Sequence, residues 1–236
     1  TTEEHLRDES RHGLERRWPA ITAQLGARNP REEYDARLAR DGRTPADIAR
    51  DAAAALEAFL DANHETVAAL IVEPLVQGAS GMVTYDASYL SRARELCTHY
   101  GVHLIADEIM TGFGRTGTMF ACEQAGIAPD LMLLSKGITG GFLPLACVLA
   151  SDAIYDAFYD DDTARGFLHS HSYTGNPLAC SAALAVLDIF RGDAVIEAIR
   201  SRAARWDSLA APLAAHPKVR DFRRCGMIVA FEVGSG

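Results

Sequence analysis

Lys136 and Asp107 each close a short apolar run, Leu131-Met132-Leu133-Leu134-Ser135 before the lysine and Val102-His103-Leu104-Ile105-Ala106 before the aspartate. Runs of this length bounded by turn residues read as buried strands. A polar break and a short helix between them predict two parallel strands joined by a crossover. Parallel strands aim their carboxyl ends at one crevice, where open α/β sheets take ligands. An amine and a carboxylate held there suit a cofactor with an aldehyde and a basic ring nitrogen. The amine condenses with the aldehyde, and the carboxylate keeps the ring nitrogen protonated. The two residues alone are equally well explained by a salt bridge at a sheet edge.

The surrounding residues narrow the choice. Asp107 opens Asp107-Glu108-Ile109-Met110-Thr111-Gly112-Phe113-Gly114-Arg115-Thr116-Gly117, and Lys136 lies in Ser135-Lys136-Gly137-Ile138-Thr139-Gly140-Gly141. Upstream stands Glu73-Pro74-Leu75-Val76-Gln77-Gly78-Ala79-Ser80-Gly81. Downstream stands His169-Ser170-His171-Ser172-Tyr173-Thr174-Gly175-Asn176-Pro177-Leu178-Ala179-Cys180. In this order the four segments resemble the class III aminotransferases, a pyridoxal 5'-phosphate family of fold type I. The Glu73–Ala79 segment, Phe120-Ala121-Cys122-Glu123 and the Tyr173–Cys180 run resemble the members that serve biotin synthesis. The resemblance runs from about Thr44 to the end of the chain.

The resemblance implies an amino-group transfer, with S-adenosylmethionine as donor and 8-amino-7-oxononanoate as acceptor. Lys136 would carry pyridoxal phosphate, and Asp107 would hold its ring nitrogen. Gln77 would lie near the ring hydroxyl. Ser172 and His171 would reach the phosphate held by the neighbouring subunit of a homodimer with shared sites. Glu73 matches an acid at the mouth of the site, although a strand-end carboxylate before Pro74 needs no such role. Glu108 competes with Asp107 for the ring nitrogen, and Asp107 is the motif match. A reactive amine must also lose its proton, which an apolar pocket near a second cation favours.

Other patterns invite readings that the chain does not sustain. Gly112-Phe113-Gly114-Arg115-Thr116-Gly117 resembles a phosphate cradle but lacks a following helix cap, and the resemblance makes it a structural loop. His169 and His171 share a strand face if that segment is extended, yet no third ligand stands at matching spacing. The five cysteines are scattered without a CxxC pair, which suits reduced thiols in a cytoplasmic protein. The net charge of −9, with scattered Lys and Arg, argues against nucleic acid or an anionic membrane as partner. No apolar stretch reaches a membrane-spanning length.

The elements that position these residues follow from caps and periodicity. Residues 1–43 form a charged lead-in without a motif. Thr44-Pro45-Ala46-Asp47 starts a helix whose apolar face carries Ile48, Ala52, Leu56, Phe59 and Leu60. A strand over 67–72 ends at Glu73. Asp86 caps a helix closed by Gly101. A strand over 144–150, a helix from Asn176-Pro177 to Phe190, a helix from Asp193 towards Leu209 and a strand over 227–233 complete the set. The alternation predicts an α/β fold with a mostly parallel sheet flanked by helices. The large cofactor-binding domain is expected over 44–190 and the start of a small domain over 191–236. Three segments implied by the resemblance find no match: an N-terminal phosphate-binding Gly-Ser, a Tyr–His stretch that stacks on the ring, and a substrate-carboxylate arginine. The fold is thus expected to be incomplete at both ends and the site to be partial. Another class III transaminase, passing an ω-amine to pyruvate, remains a rival reading. So does a non-catalytic fragment that only folds or dimerises.

Overall fold

A computed structural model describes residues 43–170 and 172–234. Helix α1 (Pro45–Asn63) begins with a complete capping box: the Thr44 side chain accepts from the Asp47 N–H, and the Asp47 carboxylate accepts from the Thr44 N–H. Each bond satisfies a donor that the first helical turn leaves without an intrahelical partner. The buried stripe is Ala49, Ala53, Leu56 and Leu60, with Phe59 packed beside it. The expected face holds at Leu56, Phe59 and Leu60 and rotates at its start, where Ala49 and Ala53 replace Ile48 and Ala52. Small residues there let α1 approach α2 (Ala87–Tyr100) closely. Asp86 caps α2 by accepting from the Ser88 N–H, and Gly101 ends it at φ +67°. That left-handed turn is one glycine adopts without steric cost.

Strands β1 (Ala69–Val72), β4 (His103–Asp107), β5 (Leu131–Leu134) and β6 (Cys147–Ala150) form one sheet in the order β1-β4-β5-β6. The first three are parallel and β6 is antiparallel to β5, so the sheet is mixed and mostly parallel. The predicted strand starts, 67 and 144, fall two or three residues early because the apolar runs begin in the approaching loops. A short hairpin, β2 (Val76–Gln77) and β3 (Val83–Thr84), follows β1. The link from β4 to β5 is a loop with a 3₁₀ turn over Ala121–Ala125 rather than an α-helix.

One sheet face carries Leu70, Leu104 and Ala106, all buried. Leu70 and Leu104 join a core with Leu56, Leu60, Ala93, Leu96, Cys97 and Val102, while Ala106 packs with Leu90 and Cys122. Further along that face, Leu134 meets Phe113, Ile138 and Ala183, the last from helix α4 (Pro177–Gly192), which follows the short α3 (Asp152–Asp156). The opposite face holds Ile71 and Asp107 on alternate positions, and Ile71 is 44% exposed. Asn176 caps α4 as expected, accepting from the Leu178 N–H. Helix α5 (Val195–Ala214) starts without a side-chain cap, so Asp193 does not serve there.

The chain ends in an antiparallel hairpin, β7 (Val219–Cys225) and β8 (Ile228–Val233). The β7 strand escaped the sequence reading because Arg220, Asp221, Arg223 and Arg224 hide its alternation. Arg223 ties the hairpin to the β2–β3 turn by donating to the carbonyls of Gly81 and Met82. Among the described residues no helix is long and apolar enough to cross a membrane.

Candidate active site

Three side chains of interest stand at the carboxyl edge of the parallel strands. Glu73 follows the last residue of β1, Asp107 is the last residue of β4, and Lys136 lies two residues beyond β5. The register places Val72 beside Ala106 and Asp107 beside Leu133. The lysine and the aspartate therefore rise from neighbouring strands at one edge, where a mostly parallel sheet opens a crevice.

The lysine sits in a 3₁₀ turn, Lys136–Thr139, that follows β5 directly. Its φ of +46° is left-handed, a conformation costing a non-glycine residue about 1–2 kcal/mol. Two hydroxyls fasten the turn: Ser135 donates to the Leu145 carbonyl at 2.7 Å, and Thr139 donates to the Leu143 carbonyl at 2.6 Å. Among the described residues the Lys136 amine makes no hydrogen bond or ion pair, and the side chain is exposed. The expected apolar pocket does not surround it among the described residues.

Asp107 is half-buried, and its Oδ1 accepts from the Ile109 N–H at 3.1 Å. This bond orients the carboxylate and occupies one oxygen. Glu108 behaves differently. It is fully buried, accepting from the Cys122 N–H at 2.8 Å and from the Thr111 hydroxyl. Its carboxylate is committed to the loop and is removed from the contest for a ring nitrogen. Burial first, and the Glu108 carboxylate second, push the adjacent Cys122 thiol well above the usual thiol range. The role of Glu108 was hidden in the sequence because its partners are a backbone amide 14 residues away and a hydroxyl three residues away.

Gln77 ends β2 and is half-buried, with its backbone paired to Val83. The neighbouring Gly78 N–H donates to Glu73 Oε1 at 3.0 Å, so Glu73 closes the turn that carries Gln77. Tyr85 donates its hydroxyl to the Glu73 carbonyl at 2.7 Å and supports the same turn. Ser172 is exposed and immediately precedes a turn closed by the Asn176 N–H on the Tyr173 carbonyl, just before α4. His171 lies outside the described residues. Among the described residues no cluster of His, Cys, Asp and Glu could hold a metal ion.

The glycine-rich loop is a packing element. Thr111, Gly112, Phe113, Gly114 and Thr116 are buried, Phe113 packs on Phe120 and Phe190, and α5 covers Gly114 with Ile199. Its surfaces are thereby filled with side chains, which leaves no open cradle.

The amine and the carboxylate at one sheet edge, and the half-buried Gln77 amide on the hairpin that follows β1, are donors and acceptors that fit pyridoxal phosphate. They offer an unengaged nucleophile and a fixed anion on adjacent strands.

The model for the class III aminotransferases matches residues 19–235, reaching into the charged lead-in as well as the described fold. The adenosylmethionine-8-amino-7-oxononanoate aminotransferase of Nitratidesulfovibrio vulgaris is 50% identical over 173 residues, covering 72% of this chain and 31% of that protein. The crystal structure of adenosylmethionine-8-amino-7-oxononanoate aminotransferase from Methanocaldococcus jannaschii is 36% identical, with a TM-score of 0.73 over 77% of this chain and 43% of that one. An (S)-enantioselective ω-transaminase from Thermomicrobium roseum, also 36% identical, has a TM-score of 0.76 over 82% of this chain and 43% of that one. The chain spans less than half the length of the curated relatives it matches. By the extent of the family match and the shared fold, this chain belongs to the class III aminotransferases.

Proposed function

We propose that the protein carrying this chain is a pyridoxal-phosphate-dependent aminotransferase. It moves an amino group from S-adenosylmethionine to 8-amino-7-oxononanoate, giving 7,8-diaminononanoate for biotin synthesis. The observation that carries the reading is the placement of Lys136 and Asp107 at the ends of adjacent parallel strands in a class III chain. The activity of the similar enzymes, adenosylmethionine-8-amino-7-oxononanoate aminotransferases by name, supplies the donor and the acceptor.

When bound, pyridoxal phosphate supplies a carbonyl that captures amines and a ring that withdraws electrons. Lys136 holds the cofactor through its Nζ. The same Nζ would be the base that takes and returns the substrate's α-proton. Asp107 keeps a negative charge beside the ring nitrogen, and the Ile109 N–H fixes its direction. Gln77, on the β2–β3 hairpin, would lie near the ring hydroxyl. Ser172 and His171 serve the phosphate in the neighbouring subunit of a homodimer. Residues 44–190 form the cofactor-binding domain, and 191–236 begin the small domain. A cytoplasmic setting suits the five free cysteines.

Borohydride reduction of the loaded protein followed by peptide mapping tests the central assignment. The pyridoxyl label is expected on Lys136 and is expected to vanish in Lys136→Ala. A label on Lys218 instead would overturn it.

The second reading is an ω-amine:pyruvate transaminase. It is favoured by the T. roseum structure, whose identity equals that of the M. jannaschii enzyme. Turnover with S-adenosylmethionine against alanine as the partner amine separates the two. Activity with S-adenosylmethionine supports the first reading, and activity confined to the alanine–pyruvate couple supports the second.

A further inference from the structure

The loop that leaves Asp107 returns to touch the turn that holds Lys136. Its first residue, Glu108, is anchored on all sides. The Glu108 N–H donates to the Leu133 carbonyl at 3.1 Å and carries the β4–β5 ladder one residue past Asp107. The Glu108 carbonyl accepts from the Gly112 N–H at 2.9 Å, and its carboxylate binds Thr111 and Cys122. A buried carboxylate that lost such partners would be left costly and unpaired, so the loop is held firmly to the strand end.

Five residues on, Phe113 adopts φ +57° and turns its ring inward. The ring packs edge-on to Phe120 at 5.8 Å between centroids and tilts against Phe190 at 6.2 Å. Its third neighbour is Gly137. A Cβ placed on that glycine would lie 2.8 Å from Phe113 Cβ and 2.9 Å from Cδ2. The ring therefore lies against bare backbone, one residue after Lys136. The Lys136 backbone is itself in a strained region, which persists only where the surroundings hold it.

We propose that Phe113 and Glu108 are positioning residues: Glu108 locks the loop to the end of the Asp107 strand, and Phe113 on that loop seats against Gly137 and so fixes Lys136 relative to Asp107. This rests on the reading of Lys136 as the cofactor-bearing residue. Neither side chain touches the cofactor in this scheme. An ordinary core role for Phe113 would cost stability when lost, yet leave the lysine turn and its chemistry unchanged.

Two measurements on the full chain test the bracket. The first uses the chain without cofactor and reads amide hydrogen exchange. The Ile138 and Gly140 amides, bonded to Ser135 and Gly137 carbonyls, report opening of the lysine turn. Phe113→Leu keeps an apolar side chain and removes the flat ring. It is expected to speed exchange at these two amides by about tenfold or more while leaving the α2 amides near Leu96 unchanged. A uniform change, or none, overturns the bracket.

The second loads the chain with pyridoxal phosphate and reads its dissociation constant and the pH at which its visible absorbance titrates. Gly137→Ala drives a methyl into the ring and is expected to weaken cofactor binding about tenfold and to shift that titration. Melting temperatures are followed in parallel. Variants that lower the melting temperature but bind and titrate as the unmodified chain overturn the positioning role. If the protein carrying this chain attaches no pyridoxal phosphate while exchange responds as expected, the functional reading falls and the mechanical coupling of the loop to the lysine turn stands.

Discussion

Asp107 ends its strand half-buried, with one oxygen bonded to the Ile109 N–H. Asp107→Asn preserves that acceptor, because the amide oxygen can take the same bond. The fold and melting temperature are expected to survive. The missing charge is another matter. A neutral amide does not hold a ring nitrogen protonated, so turnover of the loaded protein is expected to fall by about 10²–10³-fold or more, as when a charge-stabilising partner is removed. Near-normal turnover in this variant would remove Asp107 from its assigned role. At this scale Lys136 and Asp107 were legible because each stands alone at the end of an apolar run. Glu108 was not. A carboxylate beside a motif aspartate reads as a second candidate, and only its burial against Cys122 and Thr111 shows that its bonding capacity is already taken up.

The first turn of α1 offers a prediction for an element. The Thr44 hydroxyl donates to Asp47 Oδ2 at 2.7 Å, and Arg50 donates to Oδ1 at 2.7 Å. These bonds, the threonine hydroxyl foremost, hold the Asp47 carboxyl down from its ordinary 3.8 to about 2. The folded value lies below the unfolded one. The stabilisation is therefore fully present above the unfolded value of 3.8 and is lost as pH falls through the folded value of about 2. A carbon-13 titration of the Asp47 carboxyl is expected to show this low midpoint, and Thr44→Ala is expected to return it towards the ordinary range. An unshifted midpoint in the unmodified chain would mean that the capping box does not form in solution.

Capped helices such as α1, α2 and α4 were readable because a cap is a local signal, complete within four residues. The β7–β8 hairpin was half-missed for the opposite reason. Its charged residues are fastened by partners far away in sequence, Arg223 on the Gly81 and Met82 carbonyls and Arg224 on Asp207. The start of α1 rotated because Ala49 and Ala53 fit beneath α2, a packing choice that hydrophobicity alone does not encode.

For the whole molecule, the segments between the lysine turn and the start of α4 carry exposed apolar side chains. Phe142 is 86% exposed, Leu168 87% and Tyr173 76%, and Leu178 at the start of α4 is also exposed. Exposed apolar side chains of this size are sites where the rest of the protein or a second copy would pack. Ser172 is also exposed, shortly before the amino end of a 16-residue helix whose dipole favours an anion. A second copy of the protein placed there would bring Ser172 to the neighbour's phosphate, so each site would draw its lysine from one subunit and part of its phosphate grip from the other. A mixing experiment distinguishes this from a site built within one chain. Subunits carrying Lys136→Ala are combined with subunits carrying Ser172→Ala and Ser170→Ala, each inactive or impaired as a homodimer. Shared sites place both defects in one of the two heterodimer sites and leave the other intact, so a substantial part of the activity is expected to return. Heterodimers that form and recover nothing would show that each site belongs to a single chain, and the exposed apolar surface would then need another occupant.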